Sequence, residues 1–272
     1  MRARALPRRL VLLGHPVAHS LSPTFQNAAL AAAGLPLRYE ALDVPPPDLD
    51  RVLEELRKEG AAGNVTVPHK RAVALACAHV TPVADRAGAV NTFWVEDGQL
   101  MGDNTDVAGF AAAVDALLGT AEGAPWPRRI AVLGAGGAAR AVLVAAEARG
   151  VERVDVHARH PDRAKALLAS FPSARLGEGP IAADVELVVN ATPVGMQDDA
   201  HPLRPDAIPP HAAVLDLVYR PGETPWVLAC RLAGHRAADG LTMLLAQGAL
   251  AFERFTGSTP DLAAMRDSLP GR

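Results

Sequence analysis

Lysine is scarce in this 272-residue chain: of 27 basic residues only Lys58, Lys70 and Lys165 are lysines, so arginine supplies the ordinary positive charge. One of the three closes the run GNVTVPHK, residues 63–70, and stands where a helix is expected to begin. A cation is disfavoured at a helix N-terminus, so Lys70 calls for an anionic or catalytic partner. Lysine also suits chemistry because its pKa moves readily on burial, whereas arginine stays charged. Asp106, at the end of GDNTD (102–106), is a candidate partner; Asp103 competes with it, and Asp106 would also make a sound helix N-cap. Upstream, GHPVAHSLSP (14–23) puts Ser20 and Ser22 between a strand end and a helix start, where hydroxyls beside a helix N-terminus suit a small carboxylate, although Ser22 also reads as an ordinary N-cap.

A second cluster lies halfway along. RIAVLGAGGAAR (129–140) is a short apolar strand, a glycine-rich turn and a helix start, with Gly134, Gly136 and Ala139 fitting the GxGxxG/A pattern. Such a turn brings backbone N–H groups, here from Gly134, Ala135, Gly136, Gly137 and Ala138, onto a dinucleotide pyrophosphate. After the next strand, HARHPDR (157–163) has no acidic residue at the strand end, where one would hold an unphosphorylated ribose. Arg159 and Arg163 would instead clamp a 2′-phosphate, and NADP is the expected cofactor; solvated surface arginine is the competing reading.

The chain is 49% hydrophobic and 21% charged with a net charge of −3, an ordinary globular composition with no electrostatic case for nucleic acid. Arg2, Arg4, Arg8 and Arg9 read as a solubilising tail. The apolar run behind them is broken by Gly14, His15 and Pro16 before reaching signal length, and no stretch is long enough to span a membrane. Cys77 and Cys230 lie in apolar helical contexts without metal spacing, which predicts buried thiols, no metal site and a cytoplasmic home. The five asparagines, at 27, 64, 91, 104 and 190, all fall in or beside the segments singled out for chemistry.

These residues need a scaffold. Strands are expected at 10–13, 38–44 and 63–67 with helices at 22–33, 48–59 and 69–78, then a hairpin over 91–95 and 99–102. That alternation predicts a mixed, mostly parallel α/β domain. After a helix at 107–118 and a linker at 119–127, strands at 129–133, 153–157, 187–191 and 214–218 with intervening helices predict a doubly wound Rossmann domain. Two further helices, 241–255 and 260–269, are expected to return to the first domain. The expected division is 1–106 with 241–272 for substrate and 107–240 for the dinucleotide.

The motifs GHPVAHSLSP, NVTVPHK, GAVNTF, GDNTD, GAGGAAR, NATPVGM and DGLTMLLAQGALAFE occur in the order and spacing of the shikimate dehydrogenases, which the chain resembles over essentially its whole length. The resemblance implies NADPH-dependent reduction of 3-dehydroshikimate to shikimate, on the route to aromatic amino acids. It implies that Ser20 and Ser22 hold the substrate carboxylate with Tyr219, that Asn64, Thr66, Asn91 and Gln247 bind ring hydroxyls, and that Lys70 and Asp106 are the catalytic pair. Ala158, Arg159, His160, Arg163, Thr192, Val218, Gly240 and Met243 would join the glycine turn at the cofactor. A small-molecule substrate, no nucleic acid or membrane partner, and a monomer or homodimer follow.

The chain departs from the family twice: Gln26-Asn27 replaces the usual His-Asn, and Ala158-Arg159-His160 replaces Asn-Arg-Thr, removing an asparagine that contacts the adenosine end. A quinate/shikimate dehydrogenase using NAD shares most motifs, but Arg159 with no acidic neighbour opposes it. A methylene-tetrahydrofolate dehydrogenase fits the paired serines and the DGLTMLLAQ tail poorly. A non-catalytic NADP-sensing module would have no use for both Lys70 and Asp106.

Overall fold

A computed structural model describes residues 6–120 and 125–271, apart from the side chains of residues 163 and 166. The chain forms two compact units, one running to Asp106 and resuming at Leu245, the other Val107–Leu244.

In the first unit β1 (Leu10–Gly14), α1 (Ser22–Ala32), β2 (Tyr39–Asp43), α2 (Leu49–Glu59) and β3 (Ala62–Val65) alternate, followed by α3 (Lys70–Ala76), β4 (His79–Val80), α4 (Pro82–Ala87), β5 (Thr92–Glu96) and β6 (Gln99–Asp103). The strand order is β2-β1-β3-β5-β6-β4, and only β5 runs against its neighbours. β1 is buried throughout, as befits a strand covered on both faces, and so reads as an unbroken apolar run. α2 is amphipathic: Leu49, Leu53 and Leu56 are buried while Arg51 and Arg57 pair with Glu55 and Glu54 on the wet face. Those leucines meet Val11, Leu13, Val65 and Phe93 in one core. The β5–β6 turn is made by Asp97 and Gly98, both at positive φ, the backbone that a two-residue hairpin requires. Arg9 belongs to this unit rather than to a tail, since it pairs with Glu40 and Glu59 just ahead of β1.

α5 (Thr105–Leu118) leads into the second unit: β7 (Arg129–Leu133), α6 (Gly137–Ala148), β8 (Arg153–His157), α7 (Pro161–Leu168), β9 (Ala174–Leu176), β10 (Leu187–Asn190), β11 (Ala213–Asp216), α8 (Pro225–Leu232) and β12 (Ala237–Ala238). All six strands are parallel in the order β12-β11-β10-β7-β8-β9, the arrangement of a doubly wound dinucleotide-binding sheet. Of the expected linker, residues 121–124 lie outside the described residues, and its end is anchored: Trp126 is buried edge-on against Phe110 and donates to Asp115 at 2.7 Å. Cys230 is buried and Cys77 partly so, and burial pushes their thiols up to about 12 and about 11.

α9 (Leu241–Thr256) and α10 (Leu262–Asp267) close the chain. From Leu245 onward they belong to the first unit, where α10 packs against α1 and the Gln26 amide donates to the Gly248 carbonyl at 2.9 Å. Gln26, one of the two departures from the family pattern, therefore ties α1 to α9. β4, α4, β9 and β12 go beyond the elements expected from sequence.

Candidate active site

In the first unit the strand ends and helix starts converge on one polar cluster. Lys70, at the first position of α3, donates from Nζ to Asp106 Oδ2 at 2.6 Å, with both side chains largely buried. The anionic partner that a lysine at this helix start demands is thus Asp106. Asp103 is committed elsewhere: its oxygens accept from Thr81 Oγ1 at 2.5 Å, from the Asn104 N–H at 2.8 Å and from Arg254 Nε at 2.9 Å. Asp106 is not a cap either. Asn104 Oδ1 accepts from the Asp106 N–H at 3.1 Å, satisfying the start of α5 and leaving the Asp106 carboxylate to Lys70 and Asn91.

Asn91 is the hub. Its amide nitrogen donates to Asp106 Oδ1 at 2.8 Å and lies 3.0 Å from Thr105 Oγ1 and 3.4 Å from Gln247 Oε1; its oxygen accepts from the Thr105 N–H and from Thr92. Asn64 sits one strand over, donating to the Asn91 carbonyl and to Thr92 Oγ1, and accepting from Tyr39 Oη at 2.8 Å. Asn64, Asn91 and Gln247 are all buried, and as amides each offers both a donor and an acceptor, the pairing a polyhydroxylated ligand needs. Thr66 follows β3 and is half-buried, its methyl against Gly14.

The serines differ from expectation. Leu21, not Ser22, is the N-cap of α1, and Ser22 is the first helical residue. Ser20 Oγ accepts from the Ser22 N–H at 3.2 Å, while the Ser22 hydroxyl caps nothing. A helix N-terminus with no acidic residue in its first turn and a hydroxyl not used as a cap is what a carboxylate requires.

In the second unit a groove of about 600 Å³ lies at the carboxyl ends of β7 and β10, neighbours in the sheet from which the chain departs in opposite directions. Gly134 has φ +109°, and a Cβ there would stand 2.9 Å from the Ala191 carbonyl oxygen, so only glycine serves. Around Gly136, the N-cap of α6, a Cβ would meet no protein atom within 4 Å: the helix N-terminus opens onto free space where a phosphate can approach. Gly134, Ala135, Gly136, Ala158, Arg159, His160 and Thr192 line the groove, and among the described residues no aspartate or glutamate does. Arg159 and His160 are exposed, and burial holds the neighbouring His157 imidazole below its ordinary pKa, the nearby Asp155 opposing. Gly137 and Ala138 form the first turn of α6 beside the groove, whereas Val218, Tyr219, Gly240 and Met243 do not line it. The Gly240 N–H donates to the Val218 carbonyl at 3.0 Å. Arg163 lies in the first turn of α7, its side chain outside the described residues.

Sequence reasoning gave no role to Asn104 and Asn190 beyond their place among the five asparagines, and missed Asp216. Asn190 and Asp216 each end a short apolar run, LVVN and AVLD, and that is the signal that marks both.

Among the described residues no helix is long and apolar enough to cross a membrane, and no group of three or more His, Cys, Asp or Glu side chains could hold a metal ion.

A doubly wound sheet with a phosphate-accepting glycine turn, in one chain with an α/β unit bearing a lysine–carboxylate pair, is the build of a two-domain dehydrogenase using a nicotinamide dinucleotide. Residues 12–93 match the family model for the shikimate dehydrogenase substrate binding domain, and residues 240–269 that for the shikimate 5'-dehydrogenase C-terminal domain. The shikimate dehydrogenase (NADP(+)) of Moorella thermoacetica is 43% identical, the match covering 97% of this chain and 93% of the relative. Among solved structures, shikimate 5-dehydrogenase from Thermus thermophilus in complex with NADP(H) and shikimate is 42% identical with a TM-score of 0.86, over 96% of this chain and 97% of that one. Quinate dehydrogenase from Corynebacterium glutamicum in complex with NAD is also similar, at 30% identity and a TM-score of 0.85, covering 95% and 97%. The chain belongs to the shikimate dehydrogenase family.

Proposed function

We propose that this protein catalyses the reversible, NADPH-dependent reduction of 3-dehydroshikimate to shikimate. The observation that carries the reading is the 2.6 Å pair of Lys70 with Asp106, surrounded by the buried amides of Asn64, Asn91 and Gln247. Family membership supports it, since relatives similar over nearly the whole chain are NADP-dependent shikimate dehydrogenases.

The second unit's groove fits the cofactor: the glycine turn and the α6 N-terminus would hold the pyrophosphate, and Arg159 with His160 would supply charge and a donor to the 2′-phosphate. When bound, the reduced nicotinamide supplies the hydride for the ring ketone. Lys70 Nζ donates to the ketone oxygen and supplies positive charge and a proton as that oxygen becomes an alcohol. Asp106 holds the ammonium in place and accepts from a substrate hydroxyl, while Asn91 fixes the other carboxylate oxygen. Asn64, Thr66, Asn91 and Gln247 read the ring hydroxyls; Ser20 and Ser22 hold the ring carboxylate. NADPH oxidation with 3-dehydroshikimate tests the assignment, and absence of turnover refutes it.

Two variants divide the site. Ser22→Ala should weaken shikimate binding by about 1 to 3 kcal/mol, the cost of a poorly satisfied carboxylate oxygen, with little change in kcat. A shikimate titration giving the wild-type Kd would misplace the carboxylate. Charge on the groove rim selects the cofactor, each charge-assisted contact to the 2′-phosphate being worth on the order of 1.5 to 3 kcal/mol, so NADPH should outrank NADH by about tenfold or more in kcat/KM. Arg159→Ala should narrow that ratio through KM for NADPH and leave NADH nearly untouched. Equal efficiencies in the wild type, or equal losses in the variant, would favour an NAD-using quinate/shikimate dehydrogenase instead.

A further inference from the structure

Two fully buried polar side chains in the second unit have no part in the chemistry above. Asn190 and Asp216 are the last residues of β10 and β11, are aligned in the parallel register, and are both 0% exposed. The Asn190 amide donates to Asp216 Oδ1 at 2.8 Å. What remains of their hydrogen-bonding capacity goes to the loops that leave those strands. Asn190 Oδ1 accepts from the Thr192 N–H at 3.0 Å and the Thr192 hydroxyl at 2.6 Å, and its nitrogen also reaches the Val194 carbonyl at 3.3 Å. Asp216 Oδ1 accepts from the Val218 N–H at 3.1 Å, and Oδ2 from the Thr224 hydroxyl at 2.8 Å, the same hydroxyl that caps α8.

The cost of this arrangement argues for a purpose. Two apolar side chains would fill the space between neighbouring strands without desolvating an amide and a carboxyl. Burial does push the Asp216 carboxyl pKa up, with Asp239 adding to the rise and the bonds from Thr224, Val218 and Asn190 opposing it. What the pair provides in return is a defined shape for residues 191–194 and 217–218. The first of these loops forms one wall of the groove, through Ala191, Thr192, Pro193 and Val194, and the Ala191 carbonyl is the atom against which Gly134 must stay bare.

We infer that Asn190 and Asp216 are positioning residues for the cofactor: a buried amide–carboxyl clamp that sets the Thr192 loop against the glycine turn. The inference rests on the proposed function, because it takes the groove to hold NADPH.

Direct binding tests it, with NADPH followed by fluorescence and shikimate titrated in the absence of cofactor. Asp216→Ala and Asn190→Ala should each weaken NADPH binding about tenfold, the scale of one or two lost hydrogen bonds to a buried partner, while the shikimate Kd stays within about twofold. Asp216→Asn keeps an acceptor for Asn190 and Val218 and can donate to Thr224, so it should remain within about threefold of wild type. If the alanine variants do not fold, Thr192→Val removes the hydroxyl's two loop bonds, to Asn190 Oδ1 and from the Val194 N–H, and leaves the buried pair intact; it should weaken NADPH binding alone. Unchanged NADPH affinity in the folded variants, or equal weakening of both ligands, overturns the positioning role. A wild-type protein that bound no NADPH would overturn the proposed function itself.

Discussion

Lys70→Ala is expected to lower kcat by roughly 10² to 10⁴, the usual contribution of a positioned acid or base, with a much smaller effect on the KM for substrate. Lys70 is held at its task by Asp106 at 2.6 Å and by the start of α3, so the change removes the proton donor and leaves the Asp106 carboxylate to Asn91. Breaking a largely buried pair also costs stability, so a melting curve showing the variant folded at the assay temperature must accompany the slow enzyme. Lys70→Arg is an informative companion: arginine keeps the charge but does not give up a proton at working pH, and its planar fork does not match a point contact. Steady-state rates at saturating cofactor and substrate decide the matter, and a wild-type kcat for Lys70→Ala would remove this residue from the mechanism.

Gly63→Ala is expected to act on the fold instead. Gly63 lies in β3 between Val11 of β1 and Phe93 of β5, and a Cβ placed on it would stand 2.0 Å from the Val11 carbonyl oxygen and 3.0 Å from the Phe93 ring. Backbone atoms cannot rotate away as a side-chain tip can, so β1 and β3 would have to separate. The cost should reach or exceed about 3 kcal/mol, the upper range for overpacking, out of a total stability of about 5 to 15 kcal/mol. Because the next residue is Asn64 and the strand leads to Thr66 and Lys70, whatever protein folds should also bind shikimate poorly. Urea unfolding compared with wild type is the measurement; a midpoint unchanged by the substitution would show that the approach of β1 to β3 does not require glycine at this position.

Much of this scaffold was legible because its central strands are covered on both faces and so form unbroken apolar runs, while proline and glycine punctuate the turns. The glycine turn at Gly134 and the hairpin at Asp97 and Gly98 have the same clarity, since their backbones admit few residues. Strands β4, β9 and β12 were illegible for a physical reason. Two or three residues such as Ala237–Ala238 carry no periodicity, and they become strands only because a neighbouring edge pairs with them. α4 carried a Thr-Pro start in Thr81 and Pro82, but with six residues it has too little length for an apolar stripe.

At the site, residue type and position marked Lys70, Asp106 and the amides as candidates. Sequence could not choose between Asp103 and Asp106, because that choice depends on Arg254, which reaches Asp103 from 151 residues away. Nor could it foresee that Asn104 takes over capping, or that Asn190 meets Asp216 through the pairing of β10 with β11. Contacts of that kind are written in strand order, which no local pattern contains.

The asparagines carry a consequence for how long the molecule lasts. In each of the five, both ends of the amide are engaged: Asn27 by Pro23 and Tyr39, Asn64 by Tyr39 and the Asn91 segment, Asn91 by Thr105 and Asp106, Asn104 by Ala89 and Asp106, Asn190 by Thr192 and Asp216. Deamidation begins when a free side-chain amide swings onto the backbone nitrogen that follows it, and none of these amides is free to swing. Chemical ageing at asparagine therefore has to wait for the chain to open locally. Loss of these amides, which shape the site, is then gated by opening of the chain around them and not by the intrinsic rate of the reaction.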